Sequence, residues 1–136
     1  LEEIEMGLHP QAISTLLALV LELLRRGYRV VMSTHSPHVL DLIWGVRFAQ
    51  QHGGDEADVL RMLDLPNNQE MRPVASSALK AALKVYFFQR DGIVKDISDL
   101  DPSSDDPAEA NWGGLTEFAG RVAEVVARIA NKSGMP

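Results

Sequence analysis

Cysteine is absent from the 136 residues, which excludes disulfides, thiolate zinc sites and cysteine nucleophiles. Basic residues are in deficit: 13 Lys and Arg stand against 19 Asp and Glu, for a net charge of −6. Free-standing binding to a DNA backbone takes clustered Lys and Arg, so this chain is a poor candidate for it. Any basic groove, and with it any contact with DNA, is expected to lie in other regions of a parent protein. No segment reads as a signal peptide or as an apolar run of membrane-spanning length. No membrane partner is therefore expected, and the expected location is cytoplasmic. Internal repeats and low-complexity tracts are also absent. What is present, 46% hydrophobic and 24% charged residues, is enough for one globular domain with a core and argues against bulk disorder.

The chain opens on Leu1-Glu2-Glu3, with no initiating Met and no strand before the first charged cluster. This start reads as that of a piece of a larger protein. Pro10 to Arg26 is expected as a helix, with Ile13, Leu16, Leu17, Val20, Leu21 and Leu24 forming one apolar stripe. Pro10 suits its first position, Arg25 and Arg26 complement the dipole at its end, and Gly27 stops it. Tyr28 to Thr34 is β-branched and apolar at its centre, and is expected as a buried parallel strand. Ser36 and Pro37 then cap and start a second helix running to about Gln51, with Val39, Leu40, Ile43 and Phe48 on its buried side. Short helices are expected over residues 57–63 and 75–82. Residues 83–89 and 93–97 read as strands joined by Arg90-Asp91-Gly92, a hairpin signal. An acidic loop from Asp99 to Asn111 leads to a last amphipathic helix carrying Leu115, Phe118, Val122, Val125, Val126 and Ile129. Asn131 to Pro136 is expected as a frayed tail.

Three clusters carry chemistry. Leu1-Glu2-Glu3-Ile4-Glu5 places two adjacent carboxylates where a strand would end, and Gly7-Leu8-His9-Pro10 makes a tight turn into the first helix. Ser33-Thr34-His35-Ser36-Pro37 sits at the carboxyl end of the next strand. In open α/β sheets ligands lie outside the carboxyl ends of the strands, so the first and third clusters, one strand–helix–strand unit apart, can face one site. Neighbouring strand residues point to opposite sides, so Glu2 and Glu3 are expected to take two different roles.

These residues resemble the ABC-type ATPase superfamily, in the branch of RecF, SMC/Rad50-like and OLD-like AAA ATPases. There the Walker B strand ends in two acids followed by Pro-Glu, then Gly-Leu-His-Pro and later Thr-His-Ser-Pro. The resemblance covers residues 1 to about 45. The remainder, 46–136, is only compatible with it. It implies a partial three-layer α/β P-loop sheet with flanking helices and a late antiparallel hairpin, all of 1–136 being a C-terminal piece of one ATPase domain. It also implies that Glu2 holds Mg²⁺, that Glu3 orients or deprotonates the attacking water, and that His35 contacts the γ-phosphate of ATP. Gly7, Leu8 and His9 would form the loop that crosses between two heads in a head-to-tail homodimer. The output of such a machine would be DNA maintenance, repair or anti-phage defence.

Ile4 stands where the family has Pro, and Glu2 where it has Asp, one methylene longer. More consequential is the lack of any Gly-x-x-x-x-Gly-Lys-Ser/Thr cradle and of the signature motif. The phosphate-binding N-terminal half is thus an expected partner, ATP and Mg²⁺ belong to the parent, and this chain alone is expected to be inactive, with its carboxylates frayed rather than poised.

Plainer roles exist for each residue. Glu2 and Glu3 alone would be a solvated charge pair, and His35 or His9 alone a helix cap; His35 with His38 makes a weak metal pair. Trp44 and Trp112 read as packing residues, and Arg25-Arg26 as a helix-end pair too small for nucleic acid. Asp99-Leu100-Asp101 resembles the Asp-x-Asp of Toprim nucleases, which leaves a metal-dependent nuclease built on Glu2, Glu3, Asp99 and Asp101 as one alternative. A non-catalytic assembly module, self-associating through an open sheet edge, is the other.

Overall fold

A computed structural model describes residues 1–133, apart from the side chains of Phe118 and Ser133. Residues 134–136, the end of the expected frayed tail, lie outside the described part. The chain divides into two compact units, Leu1–Val85 and the residues from Tyr86 onward.

The first unit is built from four helices: α1 (Pro10–Arg25), α2 (Pro37–His52), α3 (Glu56–Met62) and α4 (Arg72–Lys80). The local signals explain their ends. Pro occupies the first turn of α1, α2 and α4, where a missing N–H leaves no intrahelical bond unmade. Arg25 and Arg26 both grip Glu22, and their guanidinium hydrogen bonds, those of Arg25 first, lower the Glu22 pKa to about 2. Gly53 closes α2 in the left-handed conformation, and Asp55 and Asp58 form a reciprocal capping box at α3. Ile13 and Leu17 of α1, Val39, Leu42 and Val46 of α2, Val59 and Leu60 of α3, and Ala75 and Ala78 of α4 share one core. The Gln50 amide donates to the carbonyls of Ala78 and Ala81, tying α2 to the end of α4.

Two expectations are corrected here. Phe48 is exposed rather than buried, and Leu42, Val46 and Ala49 take its place on the core side of α2. The chain also does not form a three-layer sheet among the described residues. Tyr28–Thr34 is extended, but among the described residues it pairs only with Leu1–Glu3, in parallel. The Leu1 amino group donates to Val31 O (2.9 Å), Ser33 N to Leu1 O (2.9 Å) and Glu3 N to Ser33 O (3.0 Å). Val30 and Met32 turn inward to line an apolar hollow with Leu17, Leu21, Leu42 and Ile43. Val31 alternates to the other face and is 85% exposed. Parallel strands become fully buried when both faces are covered; here the helices cover one.

The second unit holds an antiparallel hairpin, β1 (Tyr86–Phe88) and β2 (Val94–Asp96), in the register Tyr86↔Asp96, Phe87↔Lys95, Phe88↔Val94. α5 (Pro107–Ala110), a 3₁₀ turn at Trp112–Gly114 and α6 (Glu117–Ser133) follow. Trp112 is buried and its indole N–H donates to Leu100 O (3.0 Å), a packing role as expected. Gly113 has φ 69°, and a Cβ there would meet the Phe87 ring at 2.6 Å, so both backbone and space require glycine. On α6, Val122, Val125, Val126 and Ile129 are exposed.

Candidate functional site

Residues 1–9 and 33–36 converge where the two extended segments end. Glu2 bridges Ser33 in the parallel pair, so the carboxylate-bearing end is held by backbone hydrogen bonds and is not frayed, contrary to expectation. At Glu3 the backbone leaves the strand with φ 42° and the chain turns back: Met6 N donates to Glu3 O and Leu8 N to Glu5 O, both at 3.0 Å. Gly7 completes this reversal with φ 76°. His9 then caps α1, its Nδ1 accepting from Gln11 N at 3.4 Å.

The structure brings Glu3 and His35 together. Glu3 Oε1 lies 2.9 Å from His35 Nε2, across the mouth of the parallel pair. His35 is largely exposed and Glu3 partly so, which leaves both accessible to a ligand. Glu2 is exposed, and Gly7, Leu8 and His9 form an exposed rim beside the pair. Glu3, His35, Gly7 and Leu8 line a cleft of about 260 Å³ together with Glu5, Met6, Ile13 and Ser36.

Glu5 is the residue that sequence reasoning passed over. It is buried, and its Oε1 accepts the hydroxyl hydrogen of Thr34, whose Oγ1 in turn accepts Ser36 N–H at 3.0 Å. Its Oε2 is buried with no hydrogen-bond partner in the protein. Local sequence carries no signal for this: Glu5 lies between Ile4 and Met6 in the acidic cluster, and spacing does not distinguish a buried acid from a solvated one. Ser36, expected as a capping side chain, makes no cap hydrogen bond at α2; its own backbone N–H donates to the Thr34 hydroxyl oxygen.

Asp99 and Asp101 belong to the second unit. Asp101 accepts from both the N–H (2.8 Å) and the hydroxyl (2.7 Å) of Ser103, and these bonds, the hydroxyl first, hold its carboxyl below the usual range. Both bonds go to Oδ1 and shape a loop. Among the described residues no group of three His, Asp or Glu side chains is arranged to hold a metal ion.

Residues 1–41 match the family described as AAA domain, putative AbiEii toxin, type IV TA system. This stretch is similar to an AAA-type, ATPase-like domain. No curated protein and no solved structure matches the chain. No helix among the described residues is long and apolar enough to cross a membrane. The matched AAA-like stretch contains every member of the Glu2–His9 and Ser33–Ser36 clusters, so the likeness and the geometry fall on the same residues.

Proposed function

We propose that this chain carries the hydrolytic half of an ABC-type ATPase site, of the RecF, SMC and OLD-like kind, and that the phosphate-binding half is supplied from outside these 136 residues. The observation that carries this reading is the Glu3–His35 pair, 2.9 Å apart at the carboxyl ends of two parallel extended segments. Phosphoryl transfer needs an aligned water and charge neutralisation, with little covalent chemistry from the protein. Glu3 is the acceptor for a proton of the attacking water, and its partner His35 is the donor facing the terminal phosphate. Glu2, exposed at the bridge, is the carboxylate available to a hydrated Mg²⁺, which keeps several waters and takes one or two protein carboxylates. Bound Mg²⁺ and ATP would supply the electrophilic phosphorus and offset the charge that develops on its oxygens.

The residues present fit one side of such a ligand and not the other. The cleft of about 260 Å³ is smaller than the roughly 300–1,000 Å³ of ordinary ligand pockets. Its titratable lining is Glu3, Glu5 and His35, without Lys or Arg. Carboxylates suit a hydrated cation and repel bare phosphates, so a backbone N–H cradle with its lysine must come from elsewhere. The rim of Gly7, Leu8 and His9 is then the part that faces a second head in a head-to-tail homodimer. DNA maintenance or anti-phage defence is the output we assign to the assembled machine. Calorimetric titration of the 136-residue chain with Mg²⁺ and ATP tests the half-site reading. No saturable heat is expected up to millimolar nucleotide; binding in the millimolar range or tighter would contradict it.

A further inference from the structure

We propose that Glu5 is a positioning residue, which through Thr34 fixes the backbone that presents His35 to Glu3. The proposal deepens the reading above, since it concerns how that site holds its histidine. Glu5 is 6% exposed, yet it lies on a loop whose neighbours Met6, Gly7 and Leu8 are exposed. Burying a carboxylate is costly unless its oxygens are hydrogen-bonded, and here one of the two is not. A chain selected for stability alone would place an apolar or neutral side chain at this position. What Glu5 provides instead is an anchor 29 residues away in sequence: it accepts from the Thr34 hydroxyl, and that same oxygen accepts Ser36 N–H. His35 lies between these two anchored residues. Its own ring is largely exposed and touches nothing that would fix it except Glu3 among the contacts described. An exposed carboxylate–imidazole contact is worth at most about 1 kcal/mol, too little to hold an exposed ring by itself. Orientation must therefore come from the backbone beneath it, and Glu5 and Thr34 set that backbone.

The test is a histidine-selective ¹⁵N label in the 136-residue chain, with the imidazole signals recorded at one fixed pH and without nucleotide. His9, His38 and His52 serve as internal controls. Glu3→Gln defines the position of the His35 ring signals when the carboxylate is lost. Thr34→Val and Glu5→Ala are each expected to move the His35 signals toward that position, while the double variant moves them no further. Thr34→Ser, which restores the hydroxyl, and Glu5→Gln, which keeps an acceptor oxygen, are expected to hold the native position. A thermal melt of each variant reports folding. His35 signals that stay native in folded Thr34→Val overturn the proposal, as does equal displacement in Thr34→Val and Thr34→Ser. If Glu5→Ala does not fold, the Val/Ser comparison at position 34 decides alone. Because no nucleotide is present, a negative result removes the role of Glu5 and leaves the hydrolytic reading to be judged by turnover.

Discussion

At Glu3 the backbone enters the left-handed region, φ 42°, where a side chain costs roughly 1–2 kcal/mol relative to ordinary helical geometry. Strain of this kind persists where surrounding structure over-determines it, and it concentrates at functional sites. Glycine removes the Cβ penalty and adds about 0.5–1 kcal/mol of chain entropy cost. Glu3→Gly is therefore expected to be more stable than Glu3→Ala by about 0.5–1 kcal/mol, since both lose the carboxylate and only alanine keeps the strain. Urea unfolding of the two variants measures this, and an alanine variant equal to or more stable than the glycine variant would count against strain at this position. The acid pair and His35 were legible in the sequence because their spacing is set by one strand–helix–strand unit. Glu5 was not, because its role depends on meeting Thr34 across the fold, and nothing in local spacing distinguishes a buried acid from a solvated one. At Asp101 the structure adds what spacing leaves open: the acid two places before Ser103 makes a local turn through one of its oxygens.

Among the elements, α3 depends most on its cap. It has seven residues, too few to form alone, and Asp55 and Asp58 each accept the other's backbone N–H at 3.0 Å. Val59 and Leu60, both nearly inaccessible to solvent, hang on its placement. Asp55→Ala is expected to cost about 1 kcal/mol of stability, read as a lower urea midpoint with an unchanged slope. No change in midpoint would mean that packing alone holds the helix. Pro10 and Pro37 in the first turns explain why α1 and α2 could be placed from sequence to within a residue, and Gly92, with φ 85°, marks the hairpin turn at Arg90-Asp91-Gly92. α4 began earlier than expected, at Arg72, because the Asn68 side chain accepts the N–H groups of Glu70 and Met71 and starts the turn upstream of the apolar run. Phe48 was misassigned because the apolar stripe of α2 is wide: Leu42 and Val46 fill the core side, and the ring is left to stack on His52 at 4.1 Å.

On the scale of the whole molecule, the sheet was the expectation least supported by what the chain contains. Tyr28–Thr34 has the composition of a central parallel strand, but composition records what a strand packs against when its neighbours are present. Here three backbone hydrogen bonds join it to Leu1–Glu3, and Val31 remains exposed on the second face. The helices of the first unit and the hairpin of the second form from local signals, whereas a parallel sheet needs partners distant in sequence. The proposed function follows the same division: Glu2, Glu3 and His35 hold the water and metal side of a phosphoryl-transfer site, and the phosphate cradle is not among these residues. The most direct test is ATP turnover by a polypeptide that joins this chain to its phosphate-binding half, with and without Glu3→Gln. Hydrolysis is expected in the parent and a loss of about a hundredfold or more in the variant, with nucleotide binding retained. Turnover unaffected by Glu3→Gln would contradict the account.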